Sequence, residues 1–148
     1  MEDVHAFMER YRAATAAFDL DAALALHRTP LALITRQRGW IVTRESELRD
    51  QLSQTFDFYR WSGVRAVEMG PLTTHGVEAG VTLAMTFWRA LDGDGGEVAK
   101  FDVTHALGAD AGERRIVGVV VHNEIFPRDK LAAEQLRALG EADAGKGT

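Results

Sequence analysis

Cysteine is absent from this 148-residue sequence. Disulfides, thiolate nucleophiles, iron–sulfur clusters and cysteine-based zinc sites are therefore excluded. Lysine is scarce, with 3 residues against 14 arginines, and no stretch gathers the two into a basic cluster. At a formal net charge of −5, a nucleic-acid partner is not expected. No apolar run approaches the roughly 20 residues that cross a bilayer, so no membrane partner is expected either. Met1-Glu2-Asp3-Val4-His5 lacks the basic and apolar regions of a signal peptide. These absences point to a cytoplasmic protein, and the abundance of Arg and Ala suits a GC-rich bacterial genome. The sequence also has no Gly-x-Ser-x-Gly elbow, no phosphate loop and no dinucleotide glycine fingerprint.

What is present reads as a globular protein. The hydrophobic share is 46% and the charged share 26%, enough for one domain with a core that needs no metal or disulfide. Val4, Phe7, Met8, Tyr11, Thr15 and Phe18 recur at helical spacing and predict a helix from Asp3 to about Phe18, with Asp3 as its cap. A short helix follows, Ala22 to His27, stopped by Thr29-Pro30. Two short strands, Leu31–Thr35 and Trp40–Val42, precede a third helix from Arg44 to Arg60, capped by Thr43, with Leu48, Leu52, Phe56 and Tyr59 on its buried stripe. From Val64 to Phe126 the pattern alternates with period 2. It predicts four strands, Val64–Thr73, Val77–Leu91, Glu97–Leu107 and Arg114–Ile125, with a bulge or edge at Gly70-Pro71. The links Thr74-His75-Gly76, Asp92–Gly96 and Gly108–Glu113 are short and turn-like, so the strands they join should be antiparallel. A last helix is expected from Arg128 to Leu139, giving one domain over residues 1–139 and a disordered tail over 140–148.

The hairpin spacings place Asp102 opposite Met85 and Val119. Alternation then sorts the side chains into two faces. One carries Met85, Phe87, Lys100, Asp102, Thr104, Val119 and Asn123. The other carries Trp88, Phe101, Val103, His105, Val120 and His122. The first, mostly apolar with Asp102 near its middle, is taken as the face beneath the helices. The second is too apolar for plain exposure, and such patches mark interfaces. A homodimer through Trp88, Phe101, His105, Val120 and His122 is expected.

The order helix–helix–strand–helix–four strands resembles the nuclear transport factor 2-like (SnoaL-like) superfamily. FMERYRAATAAFDLDAALAL is similar to its opening helix pair, and KFDVTHALGADAGERRIVGVVVHNEIFP to its last hairpin. The resemblance covers residues 3–126. It departs at Asp102, where the family often has Arg two positions before the Thr, at Arg114, where it often has Trp, and in the helix after Pro127. The resemblance implies an α+β domain in which a cone-shaped, curved antiparallel sheet packs on the N-terminal helices around a pocket, here with an extra C-terminal helix. The superfamily includes isomerases, cyclases, dehydratases, hydrolases and non-catalytic binders, so fold alone does not select among them.

Asp102 is the leading catalytic candidate. A carboxyl group on an apolar concave face has a raised pKa and can donate or shuttle a proton near neutral pH. It resembles the pocket acid of ketosteroid isomerases. The plainer alternative is an ion pair with Lys100 or a helix Arg. Tyr11, Trp40, Tyr59, Met85, Phe87, Thr104, Val119 and Asn123 are expected to line the pocket. His105 and His122 stand roughly 20 Å apart on the assumed register, at about 3.3 Å per residue, so they cannot share a metal, and neither metal nor cofactor is expected. His27 reads as a residue favoured by the end of the helix dipole. His5 and His75 read as exposed. Asp92-Gly93-Asp94-Gly95-Gly96-Glu97 resembles the start of a calcium loop but lacks its later ligands, and reads as a hairpin turn. Three functions stand open: acid–base chemistry on a hydrophobic small molecule, as in an isomerase, cyclase or dehydratase; a non-catalytic ligand-binding or dimerisation module; or a monomer with a protein-partner surface at an exposed Trp88–Phe101 patch.

Overall fold

The computed structural model describes residues 1–77 and 80–125. The helix and tail expected after Pro127 lie outside the described residues. Among the described residues three helices pack on a seven-stranded mixed sheet, two of whose strands precede the third helix. Helix α1, Val4–Ala16, starts where Asp3 accepts the Ala6 N–H at 3.3 Å. Helix α2, Leu20–Ala25, starts where Asp19 accepts the Ala22 N–H at 3.1 Å. Both satisfy an otherwise orphaned donor. Strand β1, His27–Ile34, and strand β2, Gly39–Val42, form a hairpin before helix α3, Glu45–Trp61. Arg44 occupies the N-cap of α3 and makes no side-chain cap bond, so Thr43 is not the cap. The acidic first turn, Glu45 and Glu47, favours that end through the helix dipole instead.

Strand β3 is Val64–Met69, and strand β4 is Thr73–Val77. Both pair antiparallel with the long strand β5, Val81–Asp92. The expected strand Val64–Thr73 is thus broken at Gly70-Pro71, where Pro71 has no N–H to give a ladder. Gly70 still donates to the Phe87 carbonyl at 2.7 Å, and Thr86 Oγ1 donates to the Gly70 carbonyl at 3.0 Å. The turn expected at Thr74-His75-Gly76 is instead part of β4. Strand β6, Glu97–Asp110, and strand β7, Glu113–Ile125, complete the sheet in the order β2-β1-β7-β6-β5-β3. β1 and β7 run parallel, so the sheet is mixed rather than wholly antiparallel. No short link joins that pair, and nothing local to either strand announces the pairing.

The hairpin registers differ from the expected ones, and the difference decides the faces. Phe87, not Met85, lies opposite Asp102. That slip of two residues preserves the faces of β5 and β6. The β6–β7 turn is far tighter than a six-residue loop. Asp110 pairs with Glu113, and Ala111 and Gly112 between them have φ of 50° and 80°, as a two-residue mirror-image turn requires. Asp102 therefore lies opposite His122 rather than Val119, and a bulge lies between the Gly118 and Ile116 pairings.

The helices cover the face that carries Ala84, Trp88, Ala90, Ala99, Val103 and Leu107, not the face of Asp102. Phe7 and Met8 from α1 and Leu48, Leu52 and Phe56 from α3 join these strand residues in one buried cluster. Each large side chain there contributes about 1.5–3 kcal/mol relative to exposure. Small residues between the large ones let the helices approach the sheet closely.

Candidate functional site

The packing is incomplete. Between α1, α3, the β1–β2 hairpin and the concave face of the sheet lies a cavity of about 390 Å³. Trp88, Val103 and His105 form its floor, Tyr11, Thr15 and His27 one wall, and Leu52, Thr55 and Tyr59 of α3 the other. Trp40, Thr35, Gln51, Gln54 and Glu124 add further lining. The α3 positions follow from helical spacing: Leu48, Leu52, Thr55, Phe56 and Tyr59 fall on one side. Glu124 faces inward through local irregularity. The pairing shifts between Lys100 and Asp102, and Asn123 there has a φ of 54°, a conformation Asn accepts better than most residues.

Four rings meet at the deep end. The Tyr11 ring lies edge-on to His27, Trp88 and His105, with centroids 5.7, 5.7 and 5.2 Å away. Such edge-to-face contacts suit rings with a negative face and positive rim. Trp88 Nε1 and His105 Nδ1 are buried without a hydrogen-bond partner among the described residues. Native interiors rarely leave such atoms unpaired.

Burial sets the charge state of this end. It pushes the His27 imidazole down to about 4 and the His105 imidazole down to about 3, the nearby His27 lowering His105 further. The hydrogen bond of His27 to the Ala23 carbonyl works the other way and does not offset burial, so the helix-end reading of His27 is overridden. Both rings are neutral at pH 7. His27 Nδ1 lies 2.7 Å from the Ala23 carbonyl oxygen. A carbonyl only accepts, so Nδ1 carries the proton and Nε2 keeps a lone pair. Burial raises the Tyr11 phenol, with the Thr15 hydroxyl beside it working the other way. Burial raises Tyr59 too, helped by Tyr11 and Glu124. Glu124 is raised above the usual carboxylate range by burial. The site thus offers neutral aromatic and imidazole surface, phenol hydroxyls, amides and one carboxyl group.

Of the residues expected to line a pocket, Tyr11, Trp40, Tyr59 and Val119 do so. Met85, Phe87, Thr104 and Asn123 do not. Met85 and Phe87 are 38% and 37% exposed on the outer face. Asp102 belongs to that outer face as well, where it accepts a hydrogen bond from Asn123 Nδ2 at 2.8 Å. The expected ion pair with Lys100 is not the contact made: Lys100 Nζ lies 3.9 Å from Glu97. Trp88, Phe101 and His105, expected at a dimer interface, line the cavity instead. Val120 and His122 pair with Thr104 and Asp102 and share their outer face. In the Asp92–Glu97 turn, Asp92 Oδ1 accepts from the Asp94 and Gly96 N–H groups at 2.9 and 2.8 Å, as a hairpin turn needs. His27, Gln51, Gln54 and Glu124 join the lining without a sequence expectation. None of these four carries a periodic signal that places it at the cavity, and Glu124 reaches it through the irregularity in β7.

Comparison with known proteins agrees with this architecture. A cystatin-like-fold domain of unknown function from Nostoc punctiforme PCC 73102 superposes with a TM-score of 0.67 at 14% identity, covering 98% of this chain and 95% of that one. An NTF2-like protein of unknown function from Pseudomonas putida KT2440 gives 0.66 at 13% identity, covering 84% and 92%. Aln2 from a Streptomyces species gives 0.65 at 12% identity, covering 89% and 92%. At these identities the likeness concerns the fold alone. No curated protein matches the chain in sequence. A family model described as NTF2-like protein (DUF6841) matches residues 2–124. With helices, curved sheet and cavity all placed as that fold requires, the chain belongs to this NTF2-like family.

Proposed function

We propose that the protein binds a hydrophobic small molecule in the cavity between its helices and the concave face of the sheet. The observation that carries this reading is the cavity itself. Its volume lies within the roughly 300–1,000 Å³ usual for ligand sites, and its walls are mostly apolar with a few polar groups, the usual composition of such a site. Binding is read by tryptophan fluorescence, because Trp40 and Trp88 line the site. Titration with small aromatic compounds should change the emission saturably. Val121→Trp should abolish the response, since the half-buried Val121 lines the cavity and a larger ring fills it. Binding that survives this filling would remove the cavity as the site.

A second reading, acid–base catalysis on the bound molecule, is favoured by one observation. Glu124 is a half-buried carboxyl group whose pKa is raised by burial, the direction of tuning a proton carrier uses. It takes the place expected for Asp102, and His27 Nε2 would accept a hydrogen bond from the substrate. Glu124→Gln tests it: turnover should fall by about 100-fold or more with affinity for a neutral ligand retained. Turnover that persists in the Gln variant would leave a binding protein.

A further inference from the structure

Among the described residues, the charged side chains that line the cavity have one sign. Among the described residues Glu124 lines it, and no Lys or Arg does. Among those residues, too, Glu124 forms no ion pair and no side-chain hydrogen bond, whereas ten ion pairs lie elsewhere on the chain. Lys100, on the neighbouring strand, turns to Glu97. Arg38 lies over the Trp40 ring with its guanidinium carbon 4.0 Å from the ring centre, and it is not part of the wall. Charge on a half-buried carboxylate is costly to desolvate, and a ligand that brings a cation offsets that cost.

The rest of the lining points the same way. His27 Nε2 is a fixed acceptor, because the Ala23 carbonyl holds the proton on Nδ1. Tyr11, Trp40, Tyr59 and Phe101 add aromatic rings to the lining, the side-chain type that cations favour. Among the described lining residues an anion would meet no Lys or Arg and would face a carboxyl group. A neutral ligand would bring no charge to pair with that group. A metal ion would find too few ligands, since no group of three acidic or imidazole side chains occurs among the described residues.

Resting on the cavity as the binding site, we propose that its ligand is a hydrophobic amine, bound as the ammonium ion with Glu124 as counter-ion and aromatic faces around its apolar body. Charge-assisted hydrogen bonds of this kind are about twice as strong as neutral ones.

The test uses the intact chain and three probes on one ring system: 1-naphthylmethylamine, 1-naphthalenemethanol and 1-naphthoic acid, titrated calorimetrically at pH 7.5. The amine should bind about tenfold tighter than the alcohol, and the acid weakest. In Glu124→Gln the amine should fall to the affinity of the alcohol while the alcohol is unchanged, which also shows that the variant is folded. Should all three probes bind with no preference for the amine, or should the Gln variant keep that preference, the amine assignment is overturned and the cavity as a binding site stands. Should none of the three bind, the binding site and the amine fall together.

Discussion

The two faces of the β5–β6–β7 sheet carry similar large apolar residues and have opposite fates. Trp88 on the inner face is 2% exposed, while its neighbour Phe87 on the outer face is 37% exposed. The contrast lies in what stands between the large residues. Inside, Ala84, Ala90 and Ala99 are fully buried spacers that admit the helices. Outside, Lys100, Asp102 and Thr104 occupy the matching positions on β6. A face beneath helices takes small residues and neutral polar groups, while a face left open keeps its charges hydrated. Counting apolar residues does not separate the two; locating the charges does.

The largest expected effect breaks that symmetry directly. Trp88→Ala should cost about 3–5 kcal/mol by urea unfolding, because it removes a buried ring and enlarges an existing void. Phe87→Ala, one residue along, should cost less than about 1 kcal/mol in the monomer. Comparable losses at the two positions would mean that the outer face is also packed.

Acid sharpens the contrast next. The folded-state values of about 4 for His27 and about 3 for His105 lie below the ordinary histidine value. Between those values and about 6.5 the unfolded chain binds more protons than the folded one, so stability rises with pH across that window. The contribution is complete above about 6.5 and is lost as pH falls toward 4 and then 3. Roughly 3 kcal/mol should disappear between about pH 7 and about pH 5.3. His105→Phe, which has no proton to gain, should flatten the dependence by about half. An unchanged slope in that variant would show that the imidazole is not buried neutral.

Much of this architecture is readable in the residues. The stripe Leu48, Leu52, Phe56 and Tyr59 marks α3 and its buried side, and the Asp3 and Asp19 carboxylates mark two helix starts. Alternation locates the long strands, because period-2 burial leaves a repeating trace. The sheet's parallel β1–β7 pair leaves none, since pairing across most of the chain depends on tertiary closure. The site is half legible. Tyr11, Trp40, Tyr59 and Val119 stand where their spacing puts them, whereas Asp102 stands on the side opposite to its expected one. Within β6 its alternation with Phe101 and Val103 is sound; what fails is the choice between two apolar faces. Lys100 and Asp102 together favour solvent for that face. In β7 a tight turn and two irregularities move Glu124 inward, and bulges of that kind have no period to read.

The exposed outer face supports a smaller, assembly-level effect. We propose that self-association uses this outer face, where Met85 and Phe87 are exposed, rather than the Trp88 face, which the helices cover. The wild-type chain should sediment as a dimer. Phe87→Glu should sediment as a monomer with its cavity intact, since an unpaired carboxylate at a self-complementary patch meets its own copy. A monomeric wild-type chain would sink this assignment and leave the outer face a plain solvated surface.

The smallest effect belongs to Asp102. Its carboxylate lies on the outer face and is held by Asn123 Nδ2 at 2.8 Å, in an exposed contact. Asn at this position keeps the shape and one acceptor oxygen, so Asp102→Asn should change stability by less than about 1 kcal/mol. It should leave the affinity of every cavity ligand unchanged, because the sheet itself stands between residue 102 and the cavity. Glu124→Gln, an equally conservative removal of one negative charge, should act on the ligand and scarcely on the fold. Measuring both variants against the same amine separates a carboxylate that faces the cavity from one that faces away. If Asp102→Asn weakens binding as much as Glu124→Gln does, the two faces are coupled through the sheet and the division between them does not hold.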